Sequence, residues 1–345
     1  MAMNEGSGGP AQPLLTVRGL QKHFPLKRDP LGRGGGVVRA VDGVDFEVLK
    51  GETLGVVGES GCGKSTTARL LMQLINATAG EVVFDGHAVG SRDLPLKQFR
   101  RQVQMVFQDS YASLNPRLTI EDSVAFGPQV HGVSKLESTD RARDLLVRVG
   151  LDPLRFAERY PHELSGGQRQ RVNIARALAL QPRMVILDEA VSALDKSVEA
   201  QVINLLLDLK AEFGLTYLFI SHDLNVVRYM SVRVMVMYLG QVAEIGPSDA
   251  LYAAPAHPYT RALLSSMPSM DPDHRTEAAS LAGDPPNPIN PPSGCRFHPR
   301  CALAAPVCSR RVPAAVVAGA AQGVSCLMYE PGSGHPNAQP LAHAA

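Results

Sequence analysis

Short runs that alternate apolar and polar residues open the chain. "LLTVRGL" (14–20) and "VRAVDGVDFEV" (38–48) carry the period of half-buried strands, and "RDPLGRGGG" (28–36) between them predicts a loop. "TLGVVG" (53–58) is a continuous apolar run entering a Gly-rich turn, and "KSTTARLLMQLI" (64–75) behind it has helical spacing. "GEVVFDGHAV" (80–89) reads as strand, Asp-Gly turn, strand. From 121 to about 162 the spacing is mostly helical, and "QRQRVNIARALALQ" (168–181) is an amphipathic helix. "MVILD" (184–188) and "TYLFISHD" (216–223) predict buried strands, separated by the helical "VEAQVINLLLDLKAEF" (198–213). Strands alternating with helices imply an α/β fold whose parallel sheet is covered on both faces.

The texture changes after about 250. "GDPPNPINPPSG" (283–294) is Pro-rich and predicts a linker or extended arm, because proline cannot continue a helix. A cysteine-bearing stretch follows. The stretch 1–13, polar and Gly/Pro-rich, is expected to be a flexible tail, and the Gly/Pro/Ala-rich 331–345 to be disordered. At 345 residues and 45% apolar, the chain can form one large domain plus an appendage. Its net charge of +1 gives no general electrostatic case for nucleic acid or an anionic membrane. No run of eighteen apolar residues occurs, and the N-terminus lacks the basic start and apolar stretch of a signal peptide. A cytoplasmic setting is therefore expected, where clustered cysteines bind metal more often than they form stable disulfides.

The chemistry concentrates in three places. "GESGCGKST" (58–66) fits G-x-x-x-x-G-K-[ST] between a predicted strand and a predicted helix. Its glycines let backbone N–H groups wrap a phosphate, the helix N-terminus adds partial positive charge, Lys64 neutralises β- and γ-phosphates, and Ser65 can ligate Mg²⁺. "MVILDE" (184–189) ends an apolar strand in two carboxylates: Asp188 is placed to hold Mg²⁺ through its water shell, and Glu189 to act as general base on a water. "LSGGQRQR" (164–171) is a second Gly-rich helix start, where Ser165 and the amides of Gly166 and Gly167 can form another anion site or simply a cap. Two anion-binding helix starts with one lysine-bearing loop suggest one nucleotide touched by elements of two chains.

Residues 14 to about 250 resemble the ATP-binding subunit of an ABC transporter, motif by motif: the phosphate loop 58–66, "FQDSYASLNPR" (107–117), "LSGGQ" (164–168), "VILDE" (185–189), "SALD" (192–195) and the "ISHD" histidine, His222. The resemblance implies an ABC-type P-loop domain with a mixed-sheet core, an antiparallel β subdomain and a helical subdomain at about 100–180. It implies a head-to-tail dimer with two ATP molecules at the interface. Each ATP then lies between the loop residues Gly58, Glu59, Ser60, Gly61, Cys62, Gly63, Lys64, Ser65 and Thr66 of one chain and Ser165, Gly166, Gly167 and Gln168 of the other. By the same resemblance Gln108 reaches Mg²⁺ and the attacking water, His222 contacts the γ-phosphate and lines up water with Glu189, Asp195 bridges the dimer, and Phe24 stacks on adenine.

"YASLNPR", "HELSGGQRQRVNIARAL", "AHPYTRALLSSMP" (256–268), the Pro-rich arm and "GCRFHPRC" further resemble the oligopeptide/dipeptide importer ATPases, in the form of the second subunit of such pairs. That implies an extension over 251–330, a paralogous ATPase partner, two transmembrane permease subunits and an extracytoplasmic solute-binding protein, with the ATPase at the cytoplasmic face of the membrane and no nucleic acid bound. Import of nickel or another small solute remains an alternative, as does a DNA-repair or ribosome-associated ATPase. Against the latter two, only about a hundred residues separate Lys64 from LSGGQ, with no heptad run, and there is one cassette.

Cys295, Cys301, Cys308 and Cys326 are separated by five, six and seventeen residues, and none forms a CxxC pair. Four thiolates suit either Zn²⁺ or an iron–sulfur cluster, and the long gaps favour the bulkier [4Fe–4S] cube, which the resemblance also implies. Cys62 stands apart inside the phosphate loop, where its small size suffices.

Overall fold

The computed structural model describes residues 13–26, 35–267, 283–318 and 322–338. The N-terminal stretch 1–12, most of the predicted loop at 28–36 and the last seven residues lie outside them. The strands among the described residues are β1 (Pro13–Leu26), β2 (Gly36–Leu49), β3 (Thr53–Val57), β4 (Ala79–Phe84), β5 (His87–Ala88), β6 (Val103–Val106), β7 (Met184–Asp188), β8 (Thr216–Ile220), β9 (Arg233–Tyr238), β10 (Gln241–Pro247), β11 (Val316–Ala318) and β12 (Gln322–Val324).

Two sheets result. The smaller is antiparallel, in the order β2-β1-β4-β5, and its tight β4–β5 turn is the predicted Asp-Gly pair, with Asp85 at φ 52° and Gly86 at φ 82°. The larger has the order β11-β12-β10-β9-β3-β8-β7-β6. Its strands are parallel from β9 to β6 and antiparallel from β9 outward to β11. The sheet is therefore mixed, as the family resemblance implies.

The apolar runs are buried on both faces, and side-chain alternation sends their residues to two different cores. Leu54, Met184, Ile186, Leu218 and Ile220 face the antiparallel sheet and helix 64–71, together with Leu15, Val44, Phe46 and Leu70. Val185, Leu187, Tyr217 and Phe219 face the other way, onto helices that include Val172, Ala175, Val202 and Leu206. The helical stretch begins after β6 and comprises 120–130, 135–148, 153–156 and 166–178. Each of these starts on a side-chain cap, from Thr119, Ser134, Asp152 and Ser165 respectively.

The C-terminal region is woven into this core. β12 pairs with β10 through Glu244↔Val324 and Ile245↔Gly323, so residues between Cys308 and Cys326 complete the main sheet. Glu244 itself is fully buried and accepts the N–H groups of Ala256 and His257, each at 2.9 Å, which fixes the chain where it leaves the sheet. Composition predicts disorder from 331 onward, but 331–338 is held down. Ser333 Oγ donates to the Leu327 carbonyl at 2.6 Å, and His335 Nε2 lies 3.1 Å from the Leu303 carbonyl. Both side chains are buried.

Candidate ATP site

β3, a central strand paired with β8 and β9, delivers the chain into the loop 58–66 at its C-terminal end, and helix 64–71 leaves it. The glycines are required by space as well as by backbone angle. Gly58 has φ 147°, and a Cβ there would stand 2.2 Å from the Met237 carbonyl oxygen; Gly63 has φ 108°, and a Cβ would stand 2.3 Å from that of Ala40. Lys64 folds back over the loop, its Nζ donating to the carbonyls of Gly58 at 2.7 Å and Glu59 at 3.1 Å. It is thereby held across the cradle that its own loop forms. Ser60 and Gly61 are exposed, Ser65 and Thr66 half-buried. Cys62 is buried beside Lys64, and burial raises its thiol pKa despite the nearby ammonium. Its reactivity is suppressed accordingly.

Behind the loop, Ser65 Oγ donates to Asp188 Oδ1 at 2.8 Å. Asp188 is almost wholly buried at the end of β7, and burial pushes its carboxyl above the ordinary carboxylate value. A divalent cation at this hydroxyl–carboxylate pair would offset that cost, so the donor set fits Mg²⁺. Next along, Glu189 adopts φ 48°, a left-handed conformation uncommon for glutamate. Its N–H bonds the Ile220 carbonyl at 3.0 Å and its own carbonyl accepts from Ser192 Oγ at 2.9 Å, which hold the turn. The turn brings three predicted residues together: Gln108 Nε2 donates to Glu189 Oε2 at 2.8 Å, and His222 Nδ1 stands 3.6 Å from the same oxygen.

Ser165 to Gln168 form a second, separate cluster. Ser165 caps helix 166–178 in a reciprocal box with Gln168, Ser165 N–H to Gln168 Oε1 at 3.0 Å and Gln168 N–H to Ser165 Oγ at 3.4 Å. Gly166 and Gly167 back onto Leu194 and Val198, a Cβ on Gly167 falling 2.5 Å from Val198. This cluster's cap hydrogen bonds close on itself, and Gly166 and Gly167 at its tip are half-buried. Asp195, exposed, precedes helix 196–213. Phe24 is 38% exposed near the end of β1, opposite Val38, with the Lys22 ammonium 4.9 Å from its ring centroid.

Sequence reasoning missed what surrounds the loop. Arg300 forms a two-pronged ion pair with Glu59, at 2.8 and 3.0 Å, and Tyr259 Oη accepts the Glu59 N–H at 2.9 Å. The Pro-rich arm runs past as well: Pro285–Pro288 and residues 59–62 line a common cavity of about 410 Å³, and the Pro288 carbonyl accepts the Arg39 N–H at 3.1 Å. A basic residue between two cysteines and an acidic one inside a phosphate loop were the available signals, but nothing local connects them.

The four tail cysteines line one small cavity of about 20 Å³, walled by Phe297, Leu303, Leu327 and Met328. All four are free thiols. Burial, reinforced by the neighbouring thiols, pushes Cys295 up to about 11 and Cys326 up to about 12. Among the described residues no three His, Cys, Asp or Glu side chains are grouped to hold a metal ion. Cys301 and Cys308 sit on separate tight turns and Cys326 arrives from beyond β12, and all four thiols line the same cavity.

No helix among the described residues is long and apolar enough to cross a membrane. Residues 41–192 match the ABC transporter family, and residues 243–308 the oligopeptide/dipeptide transporter C-terminal region. The chain is 49% identical to the "Oligopeptide transport ATP-binding protein AppF" of Bacillus subtilis, over 92% of this chain and 97% of that one. It is 51% identical to the "Probable peptide ABC transporter ATP-binding protein y4tS" of Sinorhizobium fredii, over 92% and 90%. Among solved structures, cbiO1 of Clostridium perfringens, described as part of the ABC transporter complex cbiONQ, superposes with a TM-score of 0.60 at 27% identity, covering 70% of this chain and 91% of that one. The cassette MJ0796, solved as a dimer bound to ADP and Pi, gives 0.59 at 30% identity, covering 68% and 98%. A phosphate loop, a buried Ser–Asp pair and a glutamate backed by glutamine and histidine on this fold, with relatives half identical along nine-tenths of the chain, have one explanation: the chain belongs to the ATP-hydrolysing subunits of ABC transporters, in the group that carries the oligopeptide/dipeptide transporter C-terminal region.

Proposed function

We propose that this protein energises an importer of di- and oligopeptides, held at the cytoplasmic face of the membrane by two permease subunits and supplied by an extracytoplasmic binding protein. The observation that carries the reading is the C-terminal region matched over 243–308, on a chain half identical to ATPases named for peptide transport. Its ATP sites would form head to tail with a paralogous chain. The separation of the loop 58–66 from the self-contained cap at 165–168 supports this, because the second cluster spends none of its hydrogen bonds on the first.

Within each site the loop amides and Lys64 would bind the β- and γ-phosphates, and Ser65 and Asp188 would hold Mg²⁺. When bound, that ion supplies charge neutralisation between the phosphates. Glu189 would take the proton of the attacking water, with Gln108 and His222 fixing the carboxylate and the water in line. Ser165, Gly166, Gly167 and Gln168 would close over the triphosphate of the opposite chain, with Asp195 at the dimer seam and Phe24 against adenine. Purifying the assembled complex and identifying the binding protein's ligand tests the substrate. Bound peptides are expected; nickel or another small solute in their place would overturn the peptide reading.

The four cysteines support a second, finer reading, a [4Fe–4S] cluster. Four soft donors lining one apolar cavity suit that chemistry, with zinc as the alternative. Anaerobically purified protein should carry iron and sulfide and absorb at about 400 nm; colourless, iron-free protein from the same preparation would refute it.

A further inference from the structure

The phosphate loop contains a carboxylate. Glu59 is the residue after Gly58, inside the segment that must receive a highly charged anion, where a free carboxylate would repel it. The fold answers from far along the chain. Arg300 places both terminal nitrogens on the two Glu59 oxygens, in the planar fork-to-carboxylate geometry that fixes orientation as well as charge. The Arg300 side chain is only 5% exposed, while that of Glu59 is 21% exposed. Tyr259 Oη takes the Glu59 N–H, and Lys64 Nζ takes the Glu59 carbonyl. Backbone and side chain of one loop residue are thus held from two sites in the C-terminal region and from the catalytic lysine.

Arg300 is itself rigidly set. Its N–H bonds the Phe297 carbonyl at 3.0 Å, and Phe297 is buried in an aromatic nest of Tyr238, Tyr259 and His257, with centroids at 5.3, 5.4 and 5.9 Å. The segment lies between Cys295 and Cys301. We propose that Arg300 is a positioning residue of the ATP site: it neutralises and orients Glu59, so that the folded cysteine region sets the affinity of the phosphate loop for nucleotide. This stands on the ATPase assignment alone and is independent of the transported solute.

The test is titration of the full-length chain with a fluorescent ATP analogue at fixed ionic strength. Arg300→Ala should weaken binding about tenfold, the charge pair being partly buried but its carboxylate still in contact with water. Because the harm is an uncompensated carboxylate, Glu59→Gln added to Arg300→Ala should recover most of that loss, and high salt should shrink it. A variant that merely misfolds would not be rescued by either. If the alanine variant does not fold, Arg300→Lys, which keeps charge but loses the fork, should show a smaller loss that Glu59→Gln again relieves. Unchanged affinity in Arg300→Ala or Arg300→Lys, or a loss that Glu59→Gln leaves in place, overturns the proposal.

Discussion

Replacing Glu189 by glutamine separates two readings of this residue. The substitution keeps the shape, so the backbone bond from residue 189 to Ile220 and the Ser192 contact survive. What disappears is the charge that Gln108 reaches at 2.8 Å and His222 faces at 3.6 Å. A general base contributes about 10²–10⁴-fold to a rate, which is roughly 3–5 kcal/mol of barrier. A merely structural glutamate would lose one hydrogen bond to an ionised group, at most about 1.5–3 kcal/mol and less after solvent screening, and would lose it in the melting curve. Phosphate release should therefore fall at least a hundredfold while the melting temperature hardly moves. ATP binding should hold or tighten, since a negative charge facing the γ-phosphate is gone. Turnover within tenfold of the wild type, or a large drop in thermal stability with turnover per folded molecule intact, would refute the assignment of the base.

The remaining expectations are as direct. Gly63→Ala drives a Cβ to within 2.3 Å of the Ala40 carbonyl oxygen at φ 108°, so nucleotide titration should show binding lost outright. Ser65→Ala removes the hydroxyl that holds Asp188, and the Mg²⁺ concentration needed for half-maximal hydrolysis should rise, with chelation abolishing turnover in both proteins. Glu244→Ala leaves two buried amides without their acceptor, a loss on the order of 3 kcal/mol that chemical denaturation would register. Burial alone would raise the Asp223 carboxyl, but the Lys196 ammonium at 2.8 Å and the Asn225 and Val226 amides hold it below the usual carboxylate value. Its stabilisation is thus complete above the unfolded-state pKa and fades as pH falls through the lower folded-state value. Asp223→Asn should flatten the acid side of a stability-versus-pH curve, and an unchanged acid limb would show that the pairing is inert.

The elements that local chemistry determines were legible. The runs at 53–57, 184–188 and 216–220 are largely apolar and buried throughout because both faces are covered, and no surface strand tolerates that pattern. The Asp85-Gly86 turn and the Ser165 cap likewise follow from residues adjacent in sequence. β11 and β12 were not legible: three residues each, made of valine, alanine, glycine and glutamine, they have no period to detect and exist because the open edge of β10 accepts them. Nor did periodicity reveal that β9 and β10 reverse direction and make the sheet mixed; only the motif resemblance carried that.

The site divides along the same line. Lys64, Ser65, Asp188 and Glu189 announce themselves because each is bound to a local pattern, a loop before a helix or a carboxylate after an apolar strand. Arg300 is no less committed to the site, but its partner lies 241 positions away, and an arginine between two cysteines reads equally well as a counter-charge to a metal centre. The structure decides between those readings of the side chain. Arg300 pairs with Glu59, and Arg296 likewise reaches Asp42 and the Leu239 carbonyl. Two of the arginines that flank the cysteines are therefore spent on the ATP-binding domain. A region whose aromatic nest is shared with Tyr238 of β9, and whose strands finish the main sheet, cannot rearrange without disturbing the wall of the phosphate loop. The physical weight of the extension lies in that shared wall, whatever the four thiols hold.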